Sequence, residues 1–205
     1  MKKLATVLLI LSFVTISVHS QSTRPAAQSK CSLTEATAPA VRGLRLGMSV
    51  EQVLALFPNS TKRTEVQDAL RKLKSAPPND EPVYLSFEPA TDSRGSQFEG
   101  VGSVSTGVLK GRVVDFTVIY DGANWTSIDQ WVAKLSGSLK LPEAREWQVG
   151  EGESPNKILR CSGIEIEAAI QGGSASIGLR AMGDQMGDEQ RMKALEEKKR
   201  RDVKP

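Results

Sequence analysis

The 205-residue chain has a single histidine, His19, and this residue lies in a leader that we expect to be removed. Two lysines near the start are followed by an apolar run of about 15 residues, the arrangement of a secretory signal peptide. With cleavage after Ser20 the mature chain contains no histidine. That composition excludes Ser-His-Asp and Cys-His catalysis and every metal site that needs a histidine ligand.

Long apolar runs are also scarce, which bears on how the leader is interpreted. The alternative to a signal peptide is an uncleaved N-terminal anchor, but a membrane-spanning helix needs about 20 apolar residues. Polar residues 21–30 follow the run directly, and the sequence has no second run of spanning length. A lipidated N-terminus is not indicated, because Cys31 lies more than ten residues beyond the apolar run and follows Lys30. We therefore predict an exported protein, periplasmic or secreted, with no membrane span after cleavage.

The chain has little net charge once the leader is removed. The formal charge of +3 includes Lys2 and Lys3, so the mature chain carries about +1. A nucleic-acid partner normally requires a strongly basic surface, and we expect none here.

Only two cysteines are present, Cys31 and Cys161. In an oxidising compartment such a pair is expected to form one disulfide. It would close a loop of about 130 residues, which stabilises a fold by about 5 kcal/mol in the chain-entropy model. Two unpaired thiols remain the alternative, because the sequence does not give their distance in space.

Three helices are predicted from capping boxes, in which a Ser or Thr cap is followed by Gln three residues later. The boxes begin at Ser49, Thr64 and Ser127. Behind each box, apolar residues recur with the spacing of an amphipathic helix, and prolines follow the ends of the three segments.

Segments with strand character alternate apolar and polar residues or are rich in β-branched residues. They cover 83–87, 101–109, 113–120, 146–149, 157–161, 164–170 and 175–182. In the third of these, Val114, Phe116, Val118 and Tyr120 are expected to share one face. The combination predicts an α+β fold with an antiparallel sheet and helices packed on one face.

The two halves of the chain resemble each other weakly. Residues 49–57 align with residues 127–135 at an offset of 78, and strands follow in both cases. Tandem helix-plus-strands units over 43–121 and 123–182 would explain this. The alternative is that capped amphipathic helices resemble one another by construction, and nine residues leave both interpretations open.

The predicted organisation has four parts. We expect a signal peptide over 1–20, a disordered leader over 21–40, an α+β domain over 41–182 and a charged tail over 183–205. Within the leader, order is expected to begin near either Cys31 or Val41.

Residues 43–58, GLRLGMSVEQVLALFP, resemble the opening of the small exported domains typified by the lipoprotein SmpA/OmlA. That family includes an accessory of the outer-membrane β-barrel assembly machinery, and its helix also opens with a Gly-Met-Ser/Thr cap. The β-lactamase inhibitor protein resembles this unit in tandem. The resemblance implies an envelope protein with helix-helix-strand-strand-strand units. The chain departs from the pattern in lacking a lipidation cysteine and in being longer than one unit.

Few residues suggest chemistry. Glu165 and Glu167 lie two apart on a predicted strand and so share a face, which is expected to be solvated. A carboxylate-based hydrolase would need two carboxyls facing each other across a cleft of about 5–10 Å. The glycine-containing stretch 95–107 has neither a P-loop ending nor a dinucleotide fingerprint. We predict no catalytic residue, metal site or cofactor.

Tryptophans are the residues best suited to a binding surface. Trp125 and Trp147 flank predicted elements and are candidate interface residues, whereas Trp131 falls on a helix stripe and is expected in the core. The favoured function is a non-enzymatic envelope protein that binds another protein or assists assembly. The alternatives are a small-ligand or polymer-binding module, which a concave aromatic-lined pocket would favour, and the carboxylate hydrolase.

Overall fold

The computed structural model describes residues 31–75, 81–122 and 125–183. The signal peptide, the first half of the leader and nearly all of the charged tail therefore lie outside the described residues. Residues 31–40 pack on the domain, because the Ser162 and Gly163 amides donate to the carbonyls of Cys31 and Leu33.

Four α-helices and seven β-strands make up the described part of the chain. The helices are α1 (Val50–Leu56), α2 (Thr64–Ser75), α3 (Pro89–Asp92) and α4 (Ile128–Leu139). The strands are β1 (Val83–Phe87), β2 (Val101–Leu109), β3 (Arg112–Tyr120), β4 (Gln148–Val149), β5 (Asn156–Arg160), β6 (Ile164–Gln171) and β7 (Ser174–Ala181). The predicted α+β class is confirmed.

All seven strands form one antiparallel sheet in the order β1-β2-β3-β7-β6-β5-β4. Strands β1 to β3 come from the first half of the chain and β4 to β7 from the second. In each half, successive strands lie progressively closer to the centre of the sheet. The last strand of each half, β3 or β7, therefore pairs with the last strand of the other half. Two tandem units would be expected to give this mirrored order, and their common origin stays a prediction.

One face of the sheet forms the hydrophobic core. Its strands contribute alternate side chains that are at most 1% exposed, including Leu85, Phe87, Val118, Ile166 and Ile177. The helices bury their apolar stripes against this face, as the period of 3.6 residues predicts.

Three phenylalanines close the core beneath α1. The ring of Phe57, directly after the helix, stacks on Phe87 with centroids 4.3 Å apart and lies 4.8 Å from the ring of Phe98. Val53 on α1 is also fully buried beside them. The first predicted helix is thus held by the residues of its apolar stripe.

The predicted alternation of strand β3 is interrupted by a β-bulge. Gly107 of β2 pairs with Asp115, but Val108 pairs with Val113, so Val114 is an extra residue. An extra residue reverses the alternation, and Val113 rather than Val114 is fully buried. The prediction that Val114 shares the core face is therefore wrong.

The three predicted capping boxes have different outcomes. At α1 both contacts form, with the Ser49 amide donating to Gln52 Oε1 over 2.9 Å. At α4 the Ser127 hydroxyl accepts from the Gln130 amide, while the Gln130 side chain bonds to Thr126 instead.

The capping box predicted at Thr64 does not form. Helix α2 begins at Thr64 itself. The first hydrogen bond of the helix is donated by the Gln67 amide to the Arg63 carbonyl over 3.0 Å. The Gln67 side chain donates to the Thr61 carbonyl. A preceding 3-10 turn over Ser60–Lys62 leads directly into the helix and moves its start by one residue.

Cys31 and Cys161 form the expected disulfide, with Sγ atoms 2.07 Å apart. Both half-cystines are buried, and Cys161 lies at the end of β5. The bond fastens the first described residue to the sheet across a sequence separation of 130.

We predict that replacing both cysteines, Cys31→Ala with Cys161→Ala, lowers the free energy of unfolding by about 2–5 kcal/mol, because the unfolded chain regains a long open loop. Urea unfolding of the mature protein measures this. As a control, a reductant should destabilise the wild type by a similar amount and leave the variant unchanged. Equal stability of the two proteins would contradict the prediction.

Candidate functional site

The face of the sheet opposite the core carries mainly polar and small side chains, together with Ile119 and Ile158, and we call it the open face. Because side chains alternate along a strand, every residue between two core residues projects here. Its members include Tyr84, Ser105, Gly107, Asp115, Thr117, Ser176, Gly178, Arg180, Glu165, Glu167 and Arg160. Tyr84 is 52% exposed, which makes it one of two large hydrophobic residues at the surface of the described chain.

Charged residues of alternating sign lie side by side across four neighbouring strands of the open face. The backbone register places Asp115 of β3 beside Arg180 of β7, Arg180 beside Glu165 of β6, and Glu165 beside Arg160 of β5. The Arg160 guanidinium donates to Glu165 through Nε over 2.9 Å. We call these four residues the charge row.

Tyr84 extends the charge row to the edge strand β1. Its register partner is Gly107, and the next residue across is Asp115. The Tyr84 hydroxyl donates to Asp115 Oδ2 at 3.4 Å. Gly107 leaves room here for the Asp115 carboxylate, which would have to shift if residue 107 carried a Cβ atom, because that atom would lie 2.3 Å from Asp115 Oδ2.

Burial changes the ionisation of both partners in this contact. Partial burial raises the pKa of Asp115, an effect that outweighs the opposing attraction of Arg180. Burial also raises the pKa of the Tyr84 phenol, and the negative charge of Asp115 adds to this. Burial thus disfavours the ionised form of Asp115.

The predicted carboxylate pair lies on the open face, where its cross-strand neighbours among the described residues are Arg160, Arg180, Ile158 and Gly178, none of which is a carboxyl. Glu165 is ion-paired within the charge row, and Glu167 accepts a hydrogen bond from Asn156 Nδ2 over 2.9 Å. Both side chains project from β6 in the same direction. Their arrangement matches the solvated sheet face expected from the sequence, and it lacks the geometry that glycoside hydrolysis requires.

The two candidate interface tryptophans lie in different surroundings. Trp147 is only 5% exposed, and its indole N–H donates to the Pro142 carbonyl over 3.2 Å. A ring packed in this way offers little surface to a partner. Trp125 is half-buried and lines a cavity, while Trp131 is buried as expected.

That cavity has a volume of about 490 Å³ and lies on the helix side of the sheet, beside the end of β3 and one side of α4. We call it the aromatic cavity. Its apolar walls are formed by Val41, Tyr120, Trp125, Trp131, Leu135 and Leu139. Of these wall residues, sequence reasoning offered only Trp125 as a candidate for binding, since it assigned Trp131 to the core and Tyr120 to the apolar face of β3.

We predict that Asp115→Asn is more stable than the wild type at about pH 7 and that this advantage disappears by about pH 3. A carboxyl whose folded pKa is raised above its ordinary value of 3.8 loses stability when it ionises in the folded state. The penalty is absent below the unfolded pKa, grows as the pH rises from the unfolded to the folded pKa, and is fully present above the folded pKa.

Thermal or urea unfolding at both pH values checks this, with Glu167→Gln as a control that removes another open-face carboxylate. A wild type that is the more stable protein near neutral pH would show that Arg180 outweighs burial.

Membrane and metal features are absent from the described ranges. None of the helices within 31–75, 81–122 and 125–183 combines the length and apolar character needed to cross a bilayer. The same residues contain no group of three or more His, Cys, Asp or Glu side chains placed to hold a metal ion. Comparisons with family models, curated proteins and solved structures find no match for this chain.

Proposed function

We propose that this chain is an exported, non-enzymatic protein that binds another protein through the open face. The observation that carries the proposal is the charge row, four side chains of alternating sign in register across strands β3, β7, β6 and β5. Electrostatic complementarity of this kind fixes the register of a partner and rejects partners with the wrong charge pattern.

The area of the open face suits a protein partner. Seven strands spaced about 4.8 Å apart span about 29 Å, and the central strands of eight or nine residues are about 27 Å long. The sheet tapers because β1 has five residues and β4 has two. The resulting area, on the order of 600–800 Å², matches one side of a standard protein–protein interface.

The side chains at the centre of the open face are short, so a partner could approach the backbone of the sheet closely there. Ser105, Thr117 and Gly178 are neighbours across β2, β3 and β7, and none has a long side chain. Tyr84 stands at the edge beside them. Exposed tyrosines are frequent anchors of binding energy, since they bury a large ring and keep a polar end.

The predicted compartment and family resemblance agree with this role. A disulfide is expected of a protein that leaves the reducing cytosol, and the N-terminal residues have the pattern of a signal peptide. The resemblance of residues 43–58 to SmpA/OmlA-type domains supports an accessory role in envelope assembly.

We predict that Ser105→Arg abolishes capture of the partner, because a long cation at the low centre of the open face prevents close contact. The matched control is Ala133→Arg, which adds the same side chain at an exposed position of α4. Each tagged mature protein is incubated with envelope extract from the source organism, cross-linked and purified. Thermal unfolding confirms that both variants fold.

The proposal stands if one defined protein is captured by the wild type and by Ala133→Arg but not by Ser105→Arg. Equal capture by all three proteins would place the interface elsewhere. A wild type that captures no defined protein would overturn the protein-binding function.

A further inference from the structure

The aromatic cavity is separate from the open face, because the two are built on opposite sides of β3. Tyr120 projects to the helix side with Phe116 and Val118, whereas Asp115 and Thr117 project to the open face. A volume of about 490 Å³ lies within the range of about 300–1,000 Å³ that is typical of small-molecule sites.

Three rings of the cavity wall are held in fixed positions. The indole N–H of Trp131 donates to the Ser176 carbonyl of β7 over 2.8 Å. The Tyr120 ring meets the Trp131 ring edge to face, with centroids 5.4 Å apart. The Trp125 ring lies tilted against the Trp131 ring, with centroids 5.3 Å apart. A cavity whose walls are already ordered has less conformational entropy to lose when a ligand binds.

Arg42 packs against the Tyr120 ring of the cavity wall. Its guanidinium lies over the Tyr120 ring, 5.5 Å from the centroid, and donates to the carbonyls of Gln97 and Glu99. The Gln97 side chain returns a hydrogen bond to the Arg42 carbonyl over 2.7 Å. These contacts hold the Arg42 guanidinium in the wall of the cavity.

The rim of the cavity has no net charge. Two basic residues, Arg42 and Lys134, and two acidic residues, Glu99 and Asp121, line it, and all four are exposed. An ion of either sign would meet a like charge as well as an opposite one. Recognition must therefore come mainly from the apolar walls and the rings, which select for shape and aromatic character.

We propose that the aromatic cavity binds an uncharged aromatic group, as a free small molecule or as an aromatic side chain of a partner. The ring packs against Trp125 and Trp131, where offset and edge-to-face contacts add to the burial of apolar area.

Three probes test the charge assignment: indole, which is neutral, indole-3-propionate, an anion, and tryptamine, a cation. Binding to the mature protein is measured by calorimetry and by ligand-observed NMR. We expect indole to bind at millimolar concentration or below, and neither ion to bind more than about threefold tighter. Clearly tighter binding of one ion, weakened by salt, would overturn the neutral assignment, and no binding of any probe would overturn the site.

Two variants locate the site. Trp125→Ala removes the half-buried ring and should weaken indole binding about tenfold. Ser138→Trp fills the cavity from an exposed position of α4 and should abolish binding without removing a core residue, while Ser138→Ala should bind normally. Unchanged binding to Ser138→Trp would show that indole binds elsewhere.

The source of the aromatic group is tested with a short Gly/Ser peptide carrying one central tryptophan and the same peptide with alanine. Preference for the tryptophan peptide over free indole indicates a partner's side chain, and the reverse indicates a small molecule. Ser105→Arg, which blocks the open face, should bind all probes normally, so failure of the protein-binding proposal and failure of this one are distinguishable.

Discussion

Six residue pairs join β3 to β7, from Asp115–Arg180 to Tyr120–Ala175, and hold the two halves of the sheet together. Both candidate sites depend on this pairing. It places Arg180 beside Asp115 in the charge row, and it places Tyr120 beside Ala175, next to the Ser176 carbonyl that accepts from the Trp131 indole. Neither half of the chain contains either site alone, because each site takes residues from both halves.

The charge row contributes little to the stability of the fold. Exposed ion pairs such as Arg160–Glu165 contribute about 0–1 kcal/mol, since solvent and side-chain entropy offset the attraction. At Asp115 the balance is unfavourable, because burial raises its pKa despite the neighbouring Arg180. Folding stability therefore does not account for a poorly solvated carboxylate on this face, whereas the proposed recognition role of the open face would account for it.

Local patterns in the sequence predicted the elements well and the site only in part. Capped apolar stripes and alternating segments depend on residues close in the chain, so the helices and strands followed from their periods. The box at Thr64 was misplaced because a 3-10 turn before it determines where α2 starts. Asp115 and Arg180 are 65 positions apart, and only the register of β3 against β7 makes them neighbours. The burial of Trp147 was not predictable either, since a position that flanks an element does not indicate which residues pack around it.

Register also explains why two unlike surfaces can occupy one sheet. Side chains alternate with a period of two, so a slip of one residue in β3 would exchange Tyr120 and Phe116 with Asp115 and Thr117. Such a slip would bury a carboxylate in the core and expose aromatic rings. Its free-energy cost is far larger than the stabilisation that the ion pairs of the charge row contribute. The hydrophobic core therefore fixes the register, and the polar order of the open face and the ring order of the aromatic cavity both follow from it.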